Sequence, residues 1–524
     1  MVHLCLGSAV RLLRKSRYHI EMTCHQKESR KLLSRNFLFA FATLLLTPIG
    51  SRLCSQDDAP KNLAVLSAIE DNIANVIGSA GDSVVAIARI GKDDLADPTS
   101  PDFIPKEFGT GVAIDEAGLV LTCYHVLGDP QQSDYYVWIS GVPFKVREVE
   151  KVESIVAADP WTDLAVLKID AKLKPIRIAQ NFKPRRGQFV ISLGNPFGIA
   201  RDGNASASFG IIANLFRERS LSDASEIENT IDSYSQYGTL MQTDAKLNRG
   251  TSGGPLLNLK GEMIGLSSSL VAADRFDAAA GFAIPVDRTF LRTLDRLKKG
   301  RSADFGFLGI ATRELTLAQR QQQKKGVVVT QVVDNTPADI SGLKFGDVIT
   351  HIQGKEIASS NSLLKELSGR FAEDEITISI ERRPFPKSDL RKLDLKVKLG
   401  KKKVTAPQPT IGINDFSTWR GIKVDFPTAI DDLAIHHSKI DRDGCVAVVR
   451  VDPGSPAEKA GLKINDFVSH VGSVRVANPD DFEQAVRGKN DLVVLRLTAM
   501  ASGDPEKKQN KRTVTIPNSN SIEE

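Results

Sequence analysis

From about Gly81 to Ile284 the chain is built of short Val/Ile/Leu-rich runs punctuated by Gly, Pro, Asn and Asp. Ser83–Ile90, Gly111–Ile114, Val120–Thr122, Tyr135–Ile139, Ala165–Ile169, Phe189–Leu193 and Met263–Ser267 are the clearest of them. Runs of that length and spacing predict strands of an antiparallel barrel or sandwich, each followed by a turn. Near residue 285 the pattern changes. Val286, Phe290, Leu294 and Leu297 share one face of Pro285–Lys299, which predicts an amphipathic helix ended by Gly300 and a domain boundary behind it.

Beyond the helix the chain repeats itself. Thr336-Pro337-Ala338, Gly342-Leu343-Lys344 and Asp347 return 119 positions later as Ser455-Pro456-Ala457, Gly461-Leu462-Lys463 and Asp466, and His351 and His470 keep the same offset. A period this long exceeds any solenoid unit and marks a duplicated domain of about 100 residues. In each copy an apolar strand (Val327–Val333, Val446–Val451) precedes the motif, and a helical stretch (Asn361–Phe371, Pro479–Arg487) follows it. The basic stretch Arg382–Lys403 reads as an edge strand and a linker with solvated charge.

A length of 524 residues suits three or four such domains. The net charge is +5, but residues 1–55 hold nine basic and two acidic residues, so the remainder carries about −2. That balance argues against nucleic acid as a partner, which demands concentrated positive charge. The apolar run Phe37–Leu46 follows Arg30, Lys31 and Arg35 and is closed by Pro48 and Gly50. This is the order of a secretory signal, and the run is too short to span a bilayer comfortably. Residues 1–55 are therefore read as a targeting segment, with a periplasmic or secreted destination. Cys5, Cys24 and Cys54 fall in that segment, and Cys123 and Cys445 lie too far apart in sequence to suggest a disulfide framework. The sequence contains no CxxC, HExxH, EF-hand loop or GxxxxGK[ST], so no metal or cofactor is expected.

Chemistry concentrates at Gly250-Thr251-Ser252-Gly253-Gly254-Pro255. A serine nucleophile needs a general base and backbone N–H groups aimed at the developing oxyanion, and a Gly-rich turn supplies the second. The same letters satisfy the GxSxG elbow of α/β-hydrolases. That elbow needs a helix directly after the serine, which Gly253-Gly254-Pro255 opposes. It also needs a later histidine in the same domain, whereas the next one is His351, inside the repeat. Between Pro60 and Gly300 the sole histidine is His125, at the end of a strand that follows a Gly109-Thr110-Gly111 turn. If imidazole activates Ser252, His125 is the base. A carboxylate in Asp159-Pro160-Trp161-Thr162-Asp163 stands before the apolar run Leu164–Leu167 and suits the role of fixing the imidazole. Order alone does not choose between Asp159 and Asp163.

The set Thr122–Val126 (TCYHV), Asp159–Lys168 (DPWTDLAVLK), Ile191–Gly198 (ISLGNPFG), Gln242–Asn258 (QTDAKLNRGTSGGPLLN) and Gly281–Pro285 (GFAIP), followed by two repeats, resembles the HtrA (high-temperature-requirement) family of envelope serine proteases from about Asn62 to Thr515. The resemblance implies a mainly β chain: a chymotrypsin-like double β-barrel protease domain at 60–300, then two α+β PDZ domains at 305–400 and 410–515. It implies His125 as general base, Asp163 rather than Asp159 as its carboxylate and Ser252 as nucleophile. An oxyanion hole would lie at the turn Gly250, Thr251 and Ser252, with the amides of Gly250 and Ser252 as donors. It further implies that Phe307-Leu308-Gly309-Ile310 cradles a peptide carboxylate, with Trp419-Arg420-Gly421-Ile422 as the matching loop of the second copy. The chain departs from the family at Thr251, where Asn is usual, and at Lys246, where a small residue is usual. Leu215–Leu240 resembles an enlarged regulatory loop.

Two functions follow. The first is an ATP-independent endopeptidase of extracytoplasmic quality control, cutting unfolded polypeptides, binding peptide C-termini and assembling as a homo-oligomer, a trimer or a multiple of trimers. Its specificity pocket would take Leu247 as an apolar wall, favouring cuts after small aliphatic residues; Lys246 stands where the floor could be, and either accepts acidic residues there or points to solvent. The second is a chaperone-like or scaffolding protein with an idle protease domain.

Overall fold

The computed structural model describes residues 58–95, 97–100, 102–146, 155–195, 204–217, 239–268, 281–383, 389–404, 410–412, 418–498 and 512–518. The expected targeting segment, Pro196–Gly198 and most of the expected regulatory loop lie outside the described residues. The chain divides into two compact units, 1–63 and 64–524. Of the first, only the opening turns of helix α1 (Asp58–Gly81) are described. No helix among the described residues is long and apolar enough to cross a membrane.

Within the second unit, the β-rich region forms two antiparallel assemblies. β1 (Val84–Gly91), β2 (Glu107–Ala113), β3 (Leu119–Cys123), β4 (Ser133–Ile139), β5 (Val142–Lys145), β6 (Ile155–Asp159) and β7 (Leu164–Lys168) make one sheet in the order β5-β4-β1-β2-β3-β7-β6. β8 (Phe189–Gly194), β9 (Ser206–Arg217), β10 (Leu240–Thr243), β11 (Pro255–Leu257), β12 (Met263–Ser268) and β13 (Gly281–Pro285) close into a barrel in the order β10-β13-β12-β11-β8-β9. One buried cluster spans the seam, with Val112, Leu121 and Cys123 from the first assembly and Ile191, Leu257 and Leu266 from the second.

Gly109-Thr110-Gly111 corrects the expected turn, because it runs straight through β2. Its glycines answer to packing. A Cβ on Gly109 would come within 2.6 Å of Val126, and one on Gly111 within 2.5 Å of Val120. The expected helix is α2 (Arg288–Lys298), which starts late because Asp287 caps it by accepting the Phe290 N–H at 2.9 Å. Phe290, Leu294 and Leu297 are buried on the seam cluster, each contributing roughly 1.5–3 kcal/mol of burial.

The repeats are two α+β units. The first orders β15 (Ile310–Glu314), β16 (Val327–Val332), β17 (Val348–Ile352), β19 (Glu375–Arg382) and β20 (Arg391–Lys398) in sequence. β18 (Lys355–Glu356) lies beside β17, and β14 (Gly306–Phe307) pairs with β21 (Gly400–Lys401). Helix α3 (Ser360–Ser368) covers it. The second orders β22 (Ile422–Asp425), β23 (Val446–Val451), β24 (Phe467–Val471), β26 (Val493–Leu497) and β27 (Thr513–Ile516), with β25 (Val474–Arg475) beside β24 and helix α4 (Pro479–Val486) above. The repeated aspartates are turn caps: Asp347 accepts from the Lys344 amide at 2.8 Å and Asp466 from the Lys463 amide at 2.9 Å. The repeated histidines also have matching surroundings, each with Nδ1 about a hydrogen bond from the preceding hydroxyl, Thr350 at 3.1 Å and Ser469 at 3.0 Å.

Candidate active site

β3 and β7 are neighbours in register, Cys123 facing Leu164. His125 follows the end of one and Asp163 precedes the start of the other, so the pairing alone brings them together. The Asp163 carboxylate lies 2.9 and 3.0 Å from His125 Nδ1, and its Oδ1 also accepts the His125 backbone N–H at 3.0 Å. A carboxylate only accepts, so Nδ1 carries the proton and Nε2 is left as the acceptor. Nε2 stands 2.9 Å from Ser252 Oγ, across the seam on the turn leading into β11. Asp159 is elsewhere: its buried carboxylate accepts the Thr162 N–H at 2.9 Å and the Thr162 hydroxyl at 2.5 Å. Burial pushes it up to about 6.

The serine turn is locked to the first sheet by Thr110. Its N–H donates to the Ser252 carbonyl at 2.9 Å, and its hydroxyl donates to the Gly250 carbonyl at 2.6 Å. Gly250 has φ +95° and Gly253 φ +85°, in the region that L side chains avoid. A Cβ on Gly253 would also lie 2.1 Å from the Thr110 carbonyl. The Thr251 carbonyl accepts from the Gly254 amide at 3.0 Å, which turns the N–H of the same peptide, that of Ser252, the other way. Thr251 belongs to the turn of the expected hole but gives it no donor. Its amide and its hydroxyl both donate to the Asn248 carbonyl, at 3.0 and 2.7 Å, so both of its donors are spent inside the turn.

Ala245 is buried in the barrel core and Lys246 beside it is exposed, in line with an ammonium in solvent rather than at a buried floor. Leu247 is half-buried against β13, with its Cγ and Cδ1 2.6 Å from where a Cβ on Gly281 would sit.

Two residues escaped the sequence reading. Ser268 Oγ donates to Asp163 Oδ2 at 3.5 Å, and Cys123 Sγ donates to the Ser267 carbonyl at 3.4 Å. Burial, with the Asp163 charge adding to it, pushes the Cys123 thiol well up. Cys123, His125 and Asp163 place donor atoms within 4.8 Å of one another. A thiol that stays protonated is a poor metal ligand, however, and the facing atoms of His125 and Asp163 are used on each other.

At the first repeat, Val333 and Ala338 amides donate to the Gly309 and Leu308 carbonyls, both at 2.9 Å. Gly309, at φ +91°, and buried Leu308 thus face inward. β15 is the edge strand, Ile310 opposite Val332. With Gly309 bonded to Val333, ladder alternation aims the N–H and C=O of Ile310 at the open edge. The second repeat keeps the inward bonds, Asp452 to Gly421 at 2.7 Å and Ala457 to Arg420 at 3.2 Å, but closes its edge. Trp419 and Ile422 exchange both backbone hydrogen bonds at 2.9 Å, and the Trp419 ring stands edge-on to Phe482 of α4 at 6.0 Å.

A family model described as trypsin-like peptidase domain matches residues 109–266, and PDZ domain models match 306–399 and 448–498. The periplasmic serine endoprotease DegP of Escherichia coli K12 is 27% identical over 396 residues, 74% of each chain. A probable DegP-like periplasmic serine endoprotease of Chlamydia trachomatis is 27% identical over 407 residues, 74% of this chain and 72% of its own. One from Buchnera aphidicola subsp. Baizongia pistaciae is 28% identical over 396 residues, 74% and 76%. The chain belongs to the HtrA family of serine proteases with two PDZ domains. As an HtrA-family enzyme it is a serine endopeptidase, mainly β in fold. The idle-domain reading is not favoured.

Proposed function

We propose that this HtrA-family protease cleaves unfolded polypeptides with Ser252 as nucleophile, His125 as general base and Asp163 as the carboxylate that orients it. The observation that carries the reading is the 2.9 Å contact between Ser252 Oγ and His125 Nε2. As Oγ bonds to the scissile carbonyl carbon, its proton passes to Nε2. The resulting imidazolium is held by the carboxylate at Nδ1. The proton then goes to the leaving amine as the C–N bond breaks, and water repeats the path to release the acyl group. The Ser252 and Gly250 amides are the oxyanion donors in this scheme. Leu247 forms an apolar wall of the specificity pocket, which favours cuts after small aliphatic residues, with few after Lys or Arg.

The protease domain is taken as 60–300 and the PDZ domains as 305–400 and 410–515. Peptide C-termini bind at Phe307-Leu308-Gly309-Ile310, where the open edge of Ile310 supports capture of an added strand. The relatives named periplasmic support a periplasmic location, and the role assigned to the protein there is quality control without ATP. The exposed α1 residues Val65, Leu66 and Ile69 suit burial between copies, in keeping with a homo-oligomer such as a trimer or a multiple of trimers.

The test is casein hydrolysis by purified enzyme and Ser252→Ala, with fragments mapped by mass spectrometry. Ser252→Ala should be folded and inactive, and the wild-type cuts should follow Val, Ala or Ile. A folded Ser252→Ala that still cuts removes Ser252 from the role, and a majority of cuts after basic residues refutes the apolar wall.

A further inference from the structure

The turn that presents Asp163 reaches out of the protease domain. It is pinned at its start, where Asp159 accepts both Thr162 donors. At its end Asp163 sits at φ +59°, its carbonyl accepting the Tyr124 N–H at 3.0 Å while its carboxylate holds His125. Between the pins stands Trp161, two residues before Asp163 and fully buried. The apolar cluster that it joins, Ala303, Phe305, Phe371 and Val404, lies beyond α2. Its ring meets Phe305 at 5.8 Å, Phe305 meets Phe371 at 5.3 Å, and the Lys402 ammonium lies 4.3 Å from the indole. Its N–H donates to the carbonyl of Ser368 at 3.4 Å, the last residue of α3, which is the helix packed beside edge strand β15 through the Ser360 N–H to Glu314 bond of 2.7 Å.

The indole's partners described above, Phe305, Lys402 and the Ser368 carbonyl, are not reacting groups. We propose that Trp161 is a positioning residue for Asp163, through which the seating of α3 of the first PDZ domain sets the Asp163 to His125 geometry. The proposal rests on the triad assignment above. A short turn fixed at both ends has little slack. A shift of Ser368 and Phe305 is therefore passed on to Asp163, where a displacement well under an ångström matters to proton transfer. A peptide added along β15 presses on α3, so occupancy is felt at the carboxylate to the extent that the peptide prefers one seating over another.

The experiment is a double-mutant cycle in the full chain, read by the rate of fluorophosphonate labelling of Ser252, with melting temperature and elution volume recorded for each variant. Trp161→Ala should slow labelling about tenfold or more in the wild-type background and less than about twofold in the Asp163→Asn background, because a residue acting only through Asp163 has nothing left to act on. A merely structural residue would lower the rate equally in both. Phe305→Leu loosens the same contact from the PDZ side and should show the same background dependence, which keeps the test open if Trp161→Ala does not fold. Equal losses in both backgrounds, or no loss in either, overturn the proposal. Full labelling of Asp163→Asn by itself would instead overturn the triad assignment.

Discussion

Asp163 grips His125 at two points, accepting its backbone N–H at 3.0 Å and facing its Nδ1 at 2.9 Å. The second contact sets the tautomer, and the first ties the carboxylate to the same short turn, so neither ring nor acid swings alone. Asn in place of Asp163 offers an N–H to Nδ1 and favours the wrong tautomer. It also tolerates the left-handed backbone at φ +59°, as few residues do. Asp163→Asn should therefore fold normally and lose on the order of 10⁴ in kcat. Steady-state kinetics on a peptide substrate check this, and a loss below about tenfold would contradict it.

Asp159 answers differently. Its carboxyl titrates near 6 in the fold, above the ordinary 3.8, chiefly from burial, with Asp304 adding to it and the Thr162 and Trp161 donors opposing it. A raised acid favours the protonated fold. Its contribution to stability is thus present below the ordinary value and is lost as pH rises through about 6. Asn keeps an oxygen for Thr162 without that loss. The melting temperature of Asp159→Asn minus that of wild type should grow from about pH 4.5 to about pH 8, with activity retained. A gap that shrinks with rising pH contradicts the sign.

The two PDZ edges predict one peptide site per chain. Ile310 leaves its N–H and C=O open, whereas Ile422 spends both on Trp419. Calorimetry with a free-acid peptide should give one equivalent bound, no binding by the amidated peptide, and loss of binding in Ile310→Pro, which removes the edge N–H. Two equivalents would mean that both repeats bind, and binding that survives Ile310→Pro would assign the peptide to the second repeat.

Much of this was legible in the chain. The strands around His125, Asp163 and Ser252 announce themselves by apolar runs, and the scarcity of histidine between Pro60 and Gly300 leaves His125 as the base. What escaped depends on contacts between distant segments. Gly109 and Gly111 look like a turn until Val126 and Val120 are seen pressed on them. Thr251 stands in the turn of the expected hole with no hint in sequence that its N–H and hydroxyl are both spent on Asn248. Lys246 stands where a pocket floor could be, and the structure leaves it exposed beside buried Ala245. Trp161 gives no hint in sequence that its partners lie some 140 to 240 residues further on. Asp163 over Asp159 came from family resemblance, and the register of β3 with β7 supplies a physical reason.

The account turns on Ser252 being activated by His125, and active-site labelling measures that most directly. A fluorophosphonate should form one adduct, mapped by mass spectrometry to Ser252, and labelling should vanish in folded His125→Ala. An adduct at another residue, or undiminished labelling of Ser252 without His125, would contradict it.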